Sequence, residues 1–221
     1  MSSSSLPPDA SPALARFREA FFGEIDQYLA WHDGYEADTA ALDALTPAER
    51  ALAEQELIAG LLAPRGADAR AVIGLGHLGS RAALPVLHQL LPAIGSYVLP
   101  AIARIDAQAT DWPQLDALLH AKLSEYTLVD LLVGLRSGYT LTQLPPAIPA
   151  SVLALLTHKD YLVRYHALAT LRQLYCLPMS DASQPKDDHI FSLICSDKKA
   201  RQYREAQQLI REQIRARGYA M

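Results

Sequence analysis

β-branched residues are sparse in this 221-residue chain, whose apolar half is mostly leucine and alanine. Strands are built largely from β-branched and aromatic side chains, so their scarcity argues against a sheet and for an all-α fold. Cysteine is nearly absent: there are two, Cys176 and Cys195, and neither lies in a paired motif of the zinc or thioredoxin kind. They read as buried thiols in a reducing compartment. Net positive charge is missing as well, since a formal charge of -4 and a pI near 6.0 give no basic footprint for nucleic acid. The start MSSSSLPPDASP lacks the charged head and apolar core of a signal peptide, and no apolar run reaches the length of a bilayer-crossing helix, so a cytoplasmic protein without a membrane is expected. There is no GxSxG element, neither cysteine has a base beside it, and His77, His88, His120, His158 and His166 are not paired at metal-site spacing. No metal, no cofactor and no catalysis is therefore expected.

What the chain does contain is helical periodicity. Leu14, Phe17, Phe21, Ile25, Tyr28 and Leu29 fall three or four apart, which predicts a first helix from Pro12 to about Trp31, ended by the turn chemistry of His32-Asp33-Gly34. Thr46-Pro47-Ala48-Glu49 is a capping box for a second helix, with Leu52, Leu57, Leu61 and Leu62 expected inward. Residues 1–11 are expected to be a disordered leader and 12–221 a single domain.

From Asp68 onward the pattern repeats. Leu75, Ile105, Leu135 and Leu171 are spaced 30, 30 and 36 residues apart, and each closes an apolar helix. Four residues earlier stand Ala71, Ala101, Leu131 and Ala167, and one residue earlier Gly74, Arg104, Gly134 and Thr170. The small side chains among them let helices approach closely. Partner stripes follow: Leu84, Leu87 and Leu91; Leu115, Leu118 and Leu119; Val152, Leu153 and Leu156. The segment 179–188 reads as a polar loop. Ile190 to Cys195 predicts a short helix, and Asp197 a cap for a last, charged helix from Lys198 to about Arg217 with Tyr203, Ala206, Leu209, Ile210 and Ile214 inward.

The segments GLGHLGSRAALPVLHQLL and HKDYLVRYHALATLRQLY resemble bacterial HEAT-like repeats, including those of the phycobilisome-lyase type. Asp160, Arg164, Ala167 and Leu171 match that pattern in one unit, and Ala71, Gly74, Leu75, Gly76 and Gly79 in another, while the middle units depart from it. The resemblance implies a right-handed α-solenoid of antiparallel helical pairs with a C-terminal capping helix. In function it implies a binding protein, of the kind that includes immunity proteins against interbacterial toxins. Enzymes of HEAT-like fold, the DNA-base glycosylases and bilin lyases, are the alternative it carries.

Two local signals bear on this reading. Gly74-Leu75-Gly76-His77-Leu78-Gly79 is a literal GxGxxG, which in a strand-turn-helix would cradle the pyrophosphate of a dinucleotide and make the chain an oxidoreductase; the acid about 20 residues on that such a site needs is missing. On the repeat reading Gly74 makes room for a neighbour, Gly79 ends a helix, and Gly76→Ala costs little. Asp160 and Arg164, four apart, are within pairing reach along a helix, with a cap and a repeat ladder as their favoured role.

The residues up to Leu62 carry eleven acids against three arginines, a charge of -8. Within them FFGEIDQYLAWHDGYEADTAALD sets Tyr28, Trp31 and Tyr35 among Glu24, Asp26, Asp33, Glu36 and Asp38. Aromatics framed by one sign of charge suit an interface with a basic protein, or else pack on the next repeat. The expected partner-binding residues are Tyr28, Trp31, Asp33, Tyr35 and Glu36, with Gln89, Asp116 and His120 from the second helices. The expected partner is a protein, such as a basic toxin domain.

Overall fold

The structure is a computed structural model that describes residues 11–25, 34, 36–63, 68–178, 188–195 and 200–219. Among these residues there is no strand, and the chain is all-helical. The α-helices are α1 (Pro12–Phe22), α2 (Ala40–Asp43), α3 (Pro47–Leu62), α4 (Ala69–Leu78), α5 (Leu84–Asp106), α6 (Trp112–His120), α7 (Glu125–Gly138), α8 (Ala147–Ala154), α9 (Tyr161–Leu174), α10 (His189–Cys195) and α11 (Ala200–Ala216). They fall into two compact units, one formed by described residues of Met1–Leu90 with Ala101–Ala109, the other by those of Leu91–Pro100 with Thr110–Met221.

In the first unit α1 is capped by Ser11, whose hydroxyl accepts from the Leu14 N–H and also bonds the Glu49 carboxylate. The helix buries Leu14, Phe17 and Phe21, and it ends at Phe22, short of the expected Trp31. Gly23 is already extended, with its N–H on the Glu19 carbonyl. The expected residues Tyr28, Trp31, Asp33 and Tyr35 lie outside the described residues. The capping box at Thr46 and Glu49 forms as its sequence requires. Inside α3 the buried side chains are Ala53, Leu57 and Leu61, whereas Leu52 and Leu62 face outward, because a 16-residue helix in this unit has only one narrow buried stripe.

α4 shows what the glycines do. Gly74 and Gly76 lie inside the helix, and Gly79 ends it in the left-handed conformation at φ 67°, where its N–H and that of Ser80 close back on Gly76 and Leu75. Ala71, Val72 and Ile73, where a dinucleotide fold would need its strand, are helical, so the dinucleotide geometry is absent. A Cβ on Gly74 would stand 2.6 Å from the Phe21 ring, the close approach expected of it. A Cβ on Gly76 would stand 2.9 Å from the Ala101 Cα, so alanine there is costly rather than cheap: the obstacle is backbone, which cannot rotate away.

α5 replaces two expected helices with one of 23 residues, bent where Ile94 leaves helical geometry at φ -143°, ψ 49°. Pro92 and Pro100 lie within it, each removing a donor and crowding the carbonyl four residues back. The stretch Arg81–Ala109 also corrects the expectation about apolar runs: an 18-residue run within it has a mean hydropathy of 1.4, so by length and composition it could cross a membrane, while 44% of that run is buried inside the protein. The missed signal is the lack of any Asp, Glu, Lys or Arg between Arg81 and Arg104.

In the second unit α7 packs on α9 and on the Leu91–Pro100 part of α5. A Cβ on Gly134 would lie 2.1 Å from the Gly95 carbonyl oxygen, so the two backbones touch. Leu131, Leu135, Ala167 and Leu171 are buried here, as Leu75, Ala71 and Ala101 are in the first unit. Thr170 bonds the Leu132 carbonyl. Arg104 is exposed and Ile105 half-buried, the two positions where the periodic pattern is weakest. On α11 Tyr203, Ala206, Ile210 and Ile214 face inward as expected, and Leu209 is half-buried.

Each unit contains a buried arginine that holds a distant helix end. Arg70 pairs with Asp68 at 2.8 Å and donates to the Ala20 and Gly23 carbonyls where α1 stops. Arg164 is the largest fully buried side chain, 2% exposed. It does not pair with Asp160: its guanidinium donates to the carbonyls of Ile194, His158 and Lys159 and lies 3.9 Å from the centre of the Tyr203 ring. The helix-surface pairing fails because the arginine is the better group to bury, with five donors to share among carbonyls. Asp160 instead lies beside His158 and Lys159.

Candidate functional site

Asp116 and His120 sit four residues apart on one face of α6, and α8 packs against that face. Between them, Ser151 donates its hydroxyl proton to Asp116 Oδ1 at 2.5 Å, and His120 Nε2 lies 3.0 Å from the Ser151 hydroxyl oxygen. A serine, a histidine and an aspartate are thus in contact. The order differs from that of an activated nucleophile, in which the imidazole stands between carboxylate and hydroxyl. Here the carboxylate takes the serine proton directly, sharing it with the Ala147 carbonyl, the nearest Asp116 oxygen is 3.8 Å from Nε2, and Ser151 is buried. The group works as a polar tie between α6 and α8. Sequence reasoning found two of its members as surface residues; Ser151, 35 residues on in an apolar helix, carries no local signal.

Gln89 and Glu36 are exposed in the first unit. In that unit Asp43, Arg50, Glu54, His77 and Ser80 line a polar cleft of about 270 Å³. His77 bridges it: Nε2 lies 2.7 Å from Asp43 Oδ1 and Nδ1 lies 3.1 Å from Arg104 Nη2. An arginine can only donate, so Nδ1 accepts and Nε2 carries the proton toward the carboxylate. The hydrogen bond from His77 holds the Asp43 carboxyl below its ordinary range.

Three exposed apolar positions cluster on α9, where Tyr161, Leu162 and Tyr165 face outward and Tyr165 stacks edge-on to Phe191 at 6.1 Å. Burial, with a hydrogen bond to Cys195 behind it, pushes the Tyr161 phenol up to about 12. Neither cysteine is buried as expected: Cys195 is half-exposed, and Cys176 is exposed at φ 49°, in the left-handed position that closes α9. Arg136 donates to His166 Nδ1 at 3.0 Å, and burial together with that guanidinium lowers the imidazole to about 4.

In the first unit the helix ends of α1 and α3 leave large apolar side chains outside. Phe22 is 45% exposed and Leu62 65% exposed. The Phe22 ring lies over Gly60, whose added Cβ would be 3.3 Å from it, two residues before Leu62. Glu19 and Glu24, on either side of Phe22 in sequence, are exposed. Among the described residues no group of three or more His, Cys, Asp or Glu side chains is arranged to hold a metal ion. Comparison with known proteins returns no match to this chain, whether with family models, with curated protein sequences or with solved structures.

Proposed function

We propose that the chain is a non-catalytic protein-binding module, a solenoid of HEAT-like helical pairs whose acidic first unit receives a basic protein domain. The observation that carries the reading is the exposure of Phe22 and Leu62 on a unit that bears Glu19, Glu24, Glu36 and Glu54. Apolar anchors on a unit rich in one sign of charge suit an interface, in which the anchors supply affinity and the charge speeds encounter. In sequence Phe22 stands two residues before the acidic, aromatic stretch Glu24 to Asp38. The Ser151 tie supports the non-catalytic half of the reading, because its hydroxyl already gives its proton to a carboxylate. Resemblance to HEAT-like repeats makes the specific role an immunity protein that covers a toxin delivered between competing bacteria.

The test is binding between the purified chain and the product of the adjacent gene, with and without the double substitution Phe22→Ser, Leu62→Ser. Two anchors of this size should cost at least tenfold in affinity, about 1.4 kcal/mol. The association rate should also fall as salt rises. The reading fails if the adjacent product does not bind and cells lacking the chain are no more sensitive to their neighbours.

A further inference from the structure

The second unit contains a recess of about 490 Å³ between α8 and the chain ends that follow α9 and α11. Two helix-ending turns build it. α9 closes with the Cys176 N–H on the Gln173 carbonyl and the Leu177 N–H on that of Arg172, which fixes Tyr175 at the helix end. α11 closes the same way, with Gly218 at φ 85° and the Tyr219 N–H on the Ile214 carbonyl. The two tyrosine rings meet edge to face, 5.2 Å apart. Leu144, Pro146, Pro149 and Ala150 form the opposite wall. Three of these liners, Leu144, Pro149 and Tyr175, are themselves buried, so the feature is a recess and not a flat patch.

We propose that this recess is a binding site for a small, uncharged aromatic molecule of two or three rings. Size sets the ring count: a cavity of about 150 Å³ accommodates one benzene, and this one is roughly three times larger, within the usual range of ligand pockets. Chemistry sets the class. None of the liners is charged, so an ionised ligand would lose its hydration with no counter-charge to replace it. Tyrosine and proline rings offer faces and edges for an aromatic guest. Burial and the neighbouring Tyr219 push the Tyr175 phenol up, which keeps it protonated and able to donate one hydrogen bond to a carbonyl or hydroxyl on the guest. The site stands on a different unit from the acidic surface and is independent of the protein-binding reading.

The experiment is a fluorescence titration of the full chain with N-phenyl-1-naphthylamine, an uncharged three-ring probe that brightens on leaving water. A saturable signal with one site per chain is expected. Ala150→Trp, at an exposed position of the wall, fills the recess and should abolish that signal while circular dichroism stays unchanged. Tyr219→Ala, past the last helix, removes the other wall and should weaken the probe at least tenfold. The sulfonated analogue 1-anilinonaphthalene-8-sulfonate should bind at least tenfold more weakly than the neutral probe, about 1.4 kcal/mol. No saturable signal, a signal indifferent to both substitutions, or equal binding of the charged analogue overturns the assignment.

Discussion

Gly134→Ala tests the packing of the second unit at its tightest point. The added Cβ would stand 2.1 Å from the Gly95 carbonyl oxygen and 2.9 Å from its carbon, where non-bonded heavy atoms ordinarily rest about 3.5 Å apart. Helix α7 must therefore retreat by roughly 1.4 Å from the Leu91–Pro100 segment. It cannot do so freely, because its other side holds the Thr170 hydroxyl on the Leu132 carbonyl and the Gln173 amide on the Arg136 carbonyl. Overpacking of this kind costs about 1–3 kcal/mol, and a backbone obstacle puts it at the upper end. Alanine returns about 1 kcal/mol of helix propensity, so the net loss is about 2 kcal/mol. In a chain of this length that lowers the melting temperature by about 4–8 °C. Gly60→Ala is the internal control: it is also helical, but meets only the edge of the exposed Phe22 ring at 3.3 Å, and should raise stability by about 0.5–1 kcal/mol. Urea denaturation of the two variants must move in opposite directions. A midpoint for Gly134→Ala equal to or above that of the parent chain would refute the backbone contact.

Two further outcomes follow from buried cations and their acceptors. Arg164→Met strips the donors from three carbonyls and should destabilise the second unit by about 3 kcal/mol or more in chemical denaturation, with Arg164→Lys recovering only part because it lacks the planar fork. For His166, the folded imidazole titrates near 4 against about 6.5 when unfolded, so the unfolded chain takes up a proton that the folded one refuses. Stability should be flat above pH 6.5 from this group and fall between 6.5 and 4, and His166→Gln, which still accepts from Arg136, should remove that part of the slope in a melting series; an identical slope would contradict the assignment.

Features written in neighbouring residues were legible in the sequence. The Thr46 box, the Gly79 stop and the inward stripe of α11 each need only a few positions to specify them. Gly74 was legible too, since a small residue amid a repeat predicts close packing. Gly76 was not: its obstacle, Ala101, is 25 residues away and invisible to local propensity. The stripe ending at Leu91 and the repeat position at Ile105 suggested two helices, because spacing of apolar residues does not show whether a chain bends at Ile94 or breaks there. Asp116 and His120 looked like surface groups until Ser151 stood between them. The Tyr175–Tyr219 recess was beyond reach, since it depends on how two helix-ending turns point their next residues.

Arg70 and Arg164 also bear on how wrong arrangements are rejected. Arg70 reaches acceptors 50 and 47 residues earlier, and Arg164 one that is 30 residues later. If α1 docked one turn out of register, the Ala20 and Gly23 carbonyls would shift by about 5.4 Å, and the Nη1 donors of the buried guanidinium would lose their acceptors while Asp68 kept the rest. Leucine stripes tolerate such a slip, since one leucine replaces another at little expense. A buried donor left without its acceptor costs about 1–3 kcal/mol. Each arginine thus acts as a proofreader of helix register, making a misplaced helix less stable than the correctly docked one.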